Sequence, residues 1–228
     1  MKSSLTQKGY EIIENVYSEN EVNEILRLIE SAGINNKFGV REFLKDNPKI
    51  TKKVFTKRLI KIIQKISPRC KKAIKSIYFD KPPSANWIVN WHQDLTINLT
   101  DQKEVENYKN WRNKNNRVTV QPTIELLENI FTIRIHLDDC TKENGALRVI
   151  EGSHKKGVIE IKDWIKNKDG VERICEVQNG GILLMKPLTL HASKRTENQK
   201  NRRVIHIEFT DYDLPIGLNW KESLEIQS

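Results

Sequence analysis

Residues 86–96 read NWIVNWHQDLT. Apolar Trp87, Val89 and Trp91 alternate with polar Asn90, His92 and Asp94, the period-two pattern of a strand with one buried face. Parity sets the three apolar residues against a packing layer and points His92 and Asp94 to the opposite face, about 7 Å apart along the backbone. An imidazole and a carboxylate held that way form half of a metal site. Two histidines and one carboxylate cover one face of an octahedral ferrous ion and leave three positions for other ligands. With five histidines in the chain, an HxD spacing alone is a weak signal. The third ligand is expected at the end of a later strand, and LMKPLTLHAS (184–193) supplies His191 where an apolar run meets a polar turn.

Alternation in later segments agrees. In RRVIHIEFT (202–210), Arg203, Ile205, Ile207 and Phe209 share one face, with Arg202, Val204, His206 and Glu208 on the other. In IFTIRIHLDD (130–139), Phe131, Ile133, Ile135 and Leu137 oppose Thr132, Arg134 and His136. Apolar faces packed on helices would leave the polar faces of several strands around one cavity. Arg202 points into it, and its guanidinium suits the distal carboxylate of a 2-oxo acid through paired charge-assisted hydrogen bonds. Ser193, two residues past His191, offers a hydroxyl there, and Arg134 a further cation.

The first third reads as helical. SENEVNEILRLIESAG (18–33) opens on Ser18 with Glu21 as capping-box partner, repeats Val22, Ile25, Leu26 and Ile29, and stops at Gly33. A second helix is expected over KKVFTKRLIKIIQKIS, from Lys52 to Pro68. From Ala73 the period changes to that of short strands bounded by Gly, Pro, Asn or Asp, which suggests a sandwich or barrel. DQKEVENYKNWRNKNNRVTVQP (101–122) is polar and weakly periodic and reads as a long loop with at most a helical turn, a lid or a disordered segment. Leu218 and Trp220 are expected to pack back on the domain.

The 228 residues are 37% hydrophobic and 30% charged, the composition of a globular protein with one substantial core. No stretch resembles a membrane span, and the N-terminus lacks the apolar run of a secretory signal, so a cytoplasmic location is expected. Cys70, Cys140 and Cys175 are odd in number and lack CxxC spacing, which argues for reduced, buried thiols. The formal charge of +9 raises an anionic partner. The lysines are scattered, with no nucleic-acid-binding motif around them, so nucleic acid is not the expected partner.

Taken together, FDKPPSANWIVNWHQD, VQPTIELLENIFTIRIHLDDCTKENGALRVIEGSHKKG, GGILLMKPLTLHASKRTENQKNRRVIHIEF and LPIGLNW resemble the phytanoyl-CoA dioxygenase family of iron(II)- and 2-oxoglutarate-dependent oxygenases. GYEIIENVYSENEVNEIL is similar to that family's opening helix. The resemblance implies a mainly β protein with flanking helices: a double-stranded β-helix (jelly-roll, cupin-like) core with N-terminal helices on one sheet. It implies a single domain over 1–228, divided into a mainly helical part (1–72), the β-helix core (73–212) and a C-terminal tail (213–228). His92, Asp94 and His191 match the iron ligands, Arg202 the contact to the distal carboxylate of 2-oxoglutarate, and Gln121 a position near the pocket. Residues 143–154 match the turn and strand beneath that pocket. The implied reaction uses O2, releases succinate and CO2, and hydroxylates a small molecule. Similar halogenases replace the carboxylate ligand with a small residue, so Asp94 favours hydroxylation or a related oxidation.

Plainer readings stand beside these. His92 and His191 alone read as satisfied strand histidines, Asp94 as a turn former, and Arg202 as an exposed partner of Glu208 or of the C-terminal carboxylates. His154 reads as closing a turn, and His136 and His206 as hydrogen-bonded core residues. Two other functions fit the sequence: a non-catalytic metal- or ligand-binding barrel, and an oxygenase acting on a macromolecule. Nucleic-acid demethylases carry a second arginine on the last strand, where RRVIHIEFT offers Glu208. Substrate contacts are expected from the 101–122 segment and from near Arg41.

Overall fold

The computed structural model describes residues 3–34, 37–82, 87–114, 117–167, 169–198 and 200–226; Asn86, at the head of the opening stretch, lies outside them. The helices are α1 (Ser4–Lys8), α2 (Glu19–Ser31), α3 (Phe43–Asp46), α4 (Pro48–Val54), α5 (Lys57–Ile66), α6 (Ile124–Asn129) and α7 (Ile161–Asn167). The strands are β1 (Tyr10–Ile13), β2 (Val40–Arg41), β3 (Lys72–Lys81), β4 (Val89–His92), β5 (Ile97–Leu99), β6 (Lys109–Lys114) and β7 (Arg117–Gln121). They continue as β8 (Phe131–His136), β9 (Leu147–Ile150), β10 (Glu172–Cys175), β11 (Ile182–Met185), β12 (His191–Ser193), β13 (Arg202–Thr210) and β14 (Leu224–Glu225).

Two sheets face each other as a jelly-roll. The larger runs β1-β11-β8-β13-β3-β14, with β2 also paired to β3, and the smaller runs β10-β9-β12-β4. The parity expected of β8 and β13 is observed. Phe131, Ile133 and Ile135 join Ile205, Ile207 and Phe209 on the outer face of the large sheet, packed against Val22, Ile25, Ile29, Phe43, Leu44, Ile50, Val54, Leu59 and Ile63 of the helices. Each such side chain, fully buried, contributes on the order of 1.5–3 kcal/mol. That packing fixes which face of the sheet looks inward. Between the sheets, Leu183, Met185, Leu147 and Val149 close one end with an apolar cluster, and the other end stays polar.

Helix α2 follows its sequence signals, with the Glu21 N–H donating to Ser18 Oγ at 3.3 Å and the Ser18 N–H to Glu21 Oε2 at 2.7 Å. The single helix expected from Lys52 to Pro68 is instead two. Thr56 takes an extended conformation and its hydroxyl accepts from the Leu59 N–H at 3.2 Å, capping α5 and ending α4; the local side-chain bond competes with helix continuation. β1 and β2 lie inside the segment read as mainly helical, β1 extending the large sheet along β11.

The 101–122 segment is a loop only over 101–108; its later part forms β6 and β7 of a three-stranded sheet ordered β5-β7-β6. Val118 and Val120 bury one face of β7 with Ile97, Leu99 and Leu126, whereas β6 is exposed along nearly all its length, which erased its periodicity. Leu218 is buried and Trp220 packs beside it, as expected. All three cysteines are free and buried. No helix among the described residues is long and apolar enough to cross a membrane.

Candidate functional site

His92 on β4 and His191 on β12 are cross-strand partners, with ring centroids 4.1 Å apart. The next pair is Ser193 opposite Val89, so β4 holds one residue more than β12 across this interval. Such a bulge bends the strand and re-aims side chains. Asn90 and Trp91 border an outer groove, where Trp91 lies 5.0 Å from Trp164 and under the Arg148 guanidinium at 4.9 Å. Trp87 and Val89 line the inner cavity together with His92. The expectation that Trp87, Val89 and Trp91 share the face opposite the ligands is therefore corrected for the first two, because an added residue resets alternation.

Asp94 lies beyond the end of β4, held by its N–H to the Pro187 carbonyl at 3.0 Å. Gln93, between His92 and Asp94, is buried. Its amide donates to the Leu188 carbonyl at 2.6 Å and the Gly157 carbonyl at 2.8 Å, and its Oε1 accepts from the Ile159 N–H at 2.8 Å. No sequence signal points to Gln93, since alternation simply assigns it to the face away from His92 and Asp94.

Each of the two histidines sets its Nδ1 at 2.8 Å from the carbonyl oxygen two residues earlier, His92 on Asn90 and His191 on Thr189. A carbonyl only accepts, so Nδ1 carries the proton and Nε2 keeps its lone pair. Both Nε2 atoms face Asp94, at 4.0 Å from Oδ1 for His92 and 3.7 Å from Oδ2 for His191. Burial pushes His191 down to about 4 despite the pull of Asp94, which keeps the ring neutral. Burial alone would raise the Asp94 carboxyl, but the positive charge of the nearby Lys75 ammonium holds it below the usual carboxylate range. Asp94 Oδ2 is buried and has no hydrogen-bond partner. Two ring nitrogens with fixed lone pairs and an orphaned carboxylate oxygen, all within 4.8 Å of one another, fit a divalent cation.

A second set of such atoms joins Asp94 to His206 and Glu208. Glu208 Oε1 already accepts from Lys75 Nζ at 2.8 Å and lies 3.2 Å from His206 Nε2, while Arg134 Nη1 lies 3.2 Å from His206 Nδ1. The lysine ammonium supplies the positive charge there, so this set is a closed network behind the first.

The cavity in front of the histidines has a volume of about 470 Å³. Arg202, Arg134 and Ser193, all buried, line it. Arg202 Nε has no hydrogen-bond partner, and Glu208 is held by Lys75 and His206 rather than by Arg202. Burial and the neighbouring Arg202 lower Arg134 to about 10, still cationic. Gln121 is not brought into the cavity lining; its Oε1 accepts from Asn110 Nδ2 at 2.8 Å. His154 sits in a short turn with Nε2 at 3.2 Å from the Thr6 carbonyl.

The family model for phytanoyl-CoA dioxygenase matches residues 5–204. The chain belongs to the phytanoyl-CoA dioxygenase family. Membership places it among the non-haem iron, 2-oxoglutarate-dependent oxygenases. No curated protein matches the sequence. Solved structures sharing the family's jelly-roll include the non-heme alpha-ketoglutarate-dependent carbocyclase SnoK from nogalamycin biosynthesis (16% identity, TM-score 0.68, 91% of this chain and 81% of that one). The epimerase SnoN, solved with Fe3+, alpha-ketoglutarate and nogalamycin RO, shares it at 12% identity and a TM-score of 0.69, over 91% and 81% of the two chains. HygX from Streptomyces hygroscopicus, solved with nickel and 2-oxoglutarate, does so at 12% and 0.62, over 90% and 83%.

Proposed function

We propose that this member of the family hydroxylates a small molecule, holding iron(II) between His92, Asp94 and His191 and the distal carboxylate of 2-oxoglutarate on Arg202. The observation that carries the reading is the convergence of two histidine lone pairs, each fixed by an Nδ1–H bond to a carbonyl, on a carboxylate oxygen without a partner. When bound, iron and 2-oxoglutarate supply the oxidising chemistry, with O2 consumed and succinate and CO2 released.

The chain's share is positioning. The two backbone carbonyls lock the imidazoles in the tautomer that binds metal, as partners behind metal ligands generally do. Arg202 offers guanidinium N–H groups in a fixed fork that matches a carboxylate, and Ser193 adds a hydroxyl from the strand that carries His191. Ile77, Phe79, Val89 and Leu147 supply apolar wall and exclude water. Asp94 occupies the place that halogenases leave open, which supports oxygen transfer; the carbocyclase and epimerase among the structural neighbours make the reaction outcome a matter for product analysis.

Purified protein with Fe(II), ascorbate and 2-oxoglutarate is expected to release succinate slowly alone and faster with the metabolite extract that contains the substrate. His92→Ala and Asp94→Ala are expected to lose bound metal. Failure to bind 2-oxoglutarate in anaerobic calorimetry, with iron present, would overturn the reading.

A further inference from the structure

Among the described residues, the cavity lining carries eight arginine and lysine side chains against one carboxylate, Asp94. Three of the cations are accounted for: Lys75 pairs with Glu208 at 2.8 Å, Lys81 donates to the Lys194 carbonyl at 2.8 Å and lies over Trp87, and Arg134 contacts His206. Under the oxygenase reading, on which this inference rests, the iron, Asp94, the two carboxylates of 2-oxoglutarate and Arg202 neutralise one another. Arg41, Arg112, Lys114 and Arg117 are left over.

These four come from two separate elements, β2 and the β6–β7 pair. Lys114 stands directly across from Arg117, and Arg112 across from Thr119, one pair along on the same face. Like charges directly opposite in an antiparallel pair are destabilising. Arg41 approaches Arg117 from the other side, closely enough that burial and then the Arg117 charge lower its pKa. No carboxylate among the described residues forms an ion pair with any of the four. A surface that gathers cations at a cost in stability, with no ion-pair partner among the described residues, is built to receive an anion.

We infer that the substrate carries a phosphoryl group, seated at the mouth of the cavity among Arg41, Arg112, Lys114 and Arg117. A phosphate monoester presents three oxygens and close to two charges, which three guanidinium forks and an ammonium can meet with several charge-assisted hydrogen bonds at once. The polar Thr96, Asn98 and Thr119 complete this side of the cavity. The part of the substrate that reacts then extends from the mouth toward His92 and His191.

Phenyl phosphate is the probe, titrated by calorimetry into anaerobic protein loaded with Fe(II) and 2-oxoglutarate; phenylacetate is the carboxylate comparison. Phenyl phosphate is expected to bind, less tightly as salt rises, and at least about tenfold more tightly than phenylacetate. Arg112→Gln/Arg117→Gln is expected to weaken it by about tenfold or more, whereas the charge-matched Lys61→Gln/Lys65→Gln on α5 leaves it unchanged. Removing like charges from an exposed hairpin does not threaten folding, and thermal melting of the variant verifies that. No binding, binding indifferent to the Arg112/Arg117 change, or equal affinity for phenylacetate each overturns the inference. The charge-transfer absorption of the iron–2-oxoglutarate complex, read in the same sample before titration, reports the oxygenase reading by itself: its failure to form refutes that reading and not the anion site.

Discussion

Gln93 anchors the backbone between His92 and Asp94 through its own side chain, on the side away from the cavity. Its side chain answers two carbonyls and one N–H, a pattern that only an amide satisfies, since the carbonyls need donors and the N–H an acceptor. Replacing it with Leu removes three hydrogen bonds at about 0.5–1.5 kcal/mol net each and leaves their partners desolvated. The expected cost is about 3 kcal/mol. For a chain of this size that lowers the melting temperature by roughly 6–12 °C. Freed from Gly157, Ile159 and Leu188, the backbone at Asp94 loosens, and iron(II) affinity is expected to fall about 10–100-fold, as for other residues behind metal ligands. Melting of the metal-free protein and anaerobic competition with a chromophoric chelator read the two effects separately. Gln93→Glu is expected to be worse than Leu, because a carboxylate would then face two carbonyl oxygens. If Gln93→Leu melts within about 2 °C of wild type and keeps its iron affinity, the anchoring role is wrong.

Arg202→Met should weaken 2-oxoglutarate binding by about 2–3 kcal/mol, the worth of a charge-assisted pair in a buried site, with a much smaller change in iron affinity; equal losses of both would contradict its assignment. Glu222 supplies a pH dependence. It is buried against Ser76, whose N–H and Oγ both contact its carboxylate, and burial pushes its pKa up to about 7 against those hydrogen bonds. A carboxyl raised in the folded state favours folding while protonated, so its contribution is complete below pH of about 4.5 and is lost as pH rises through about 7, on the order of 3 kcal/mol in all. Glu222→Gln, which mimics the protonated acid, should flatten that decline in urea titrations at pH 5 and pH 8. An unchanged slope would show that the carboxyl titrates normally.

The features legible in the sequence are those written in alternation. Strands β8 and β13 bury one face on helices, so Ile133, Ile135, Ile205 and Ile207 announce their own orientation, and with it that of Arg134 and Arg202. His92, Asp94 and His191 are legible through spacing and resemblance, and the structure brings them together. What escaped has a common physical cause, in that one local term overrides the periodic one. Thr56 ends a helix through a single hydroxyl. The exposed β6 has no apolar stripe to read and takes its conformation from pairing with β7. The cations at the cavity mouth gain meaning only once the hairpin sets Lys114 opposite Arg117. Gln93 acts through carbonyls more than 60 residues away in sequence, which no window along the chain can join.

The bulge in β4 bears on how this enzyme tolerates changes of length. Asn90 and Trp91 together occupy the interval that Ala192 alone fills on β12, and Val89 and His92 stay in register with Ser193 and His191 on either side. Losing one residue of that pair would restore a regular ladder with His92 still aimed inward, so this strand can absorb a one-residue deletion ahead of its histidine. The next step of the chain has no such slack. Between His92 and Asp94 there is a single residue, tied at three points to two other segments, and one codon more or less there would carry the carboxylate away from both imidazoles.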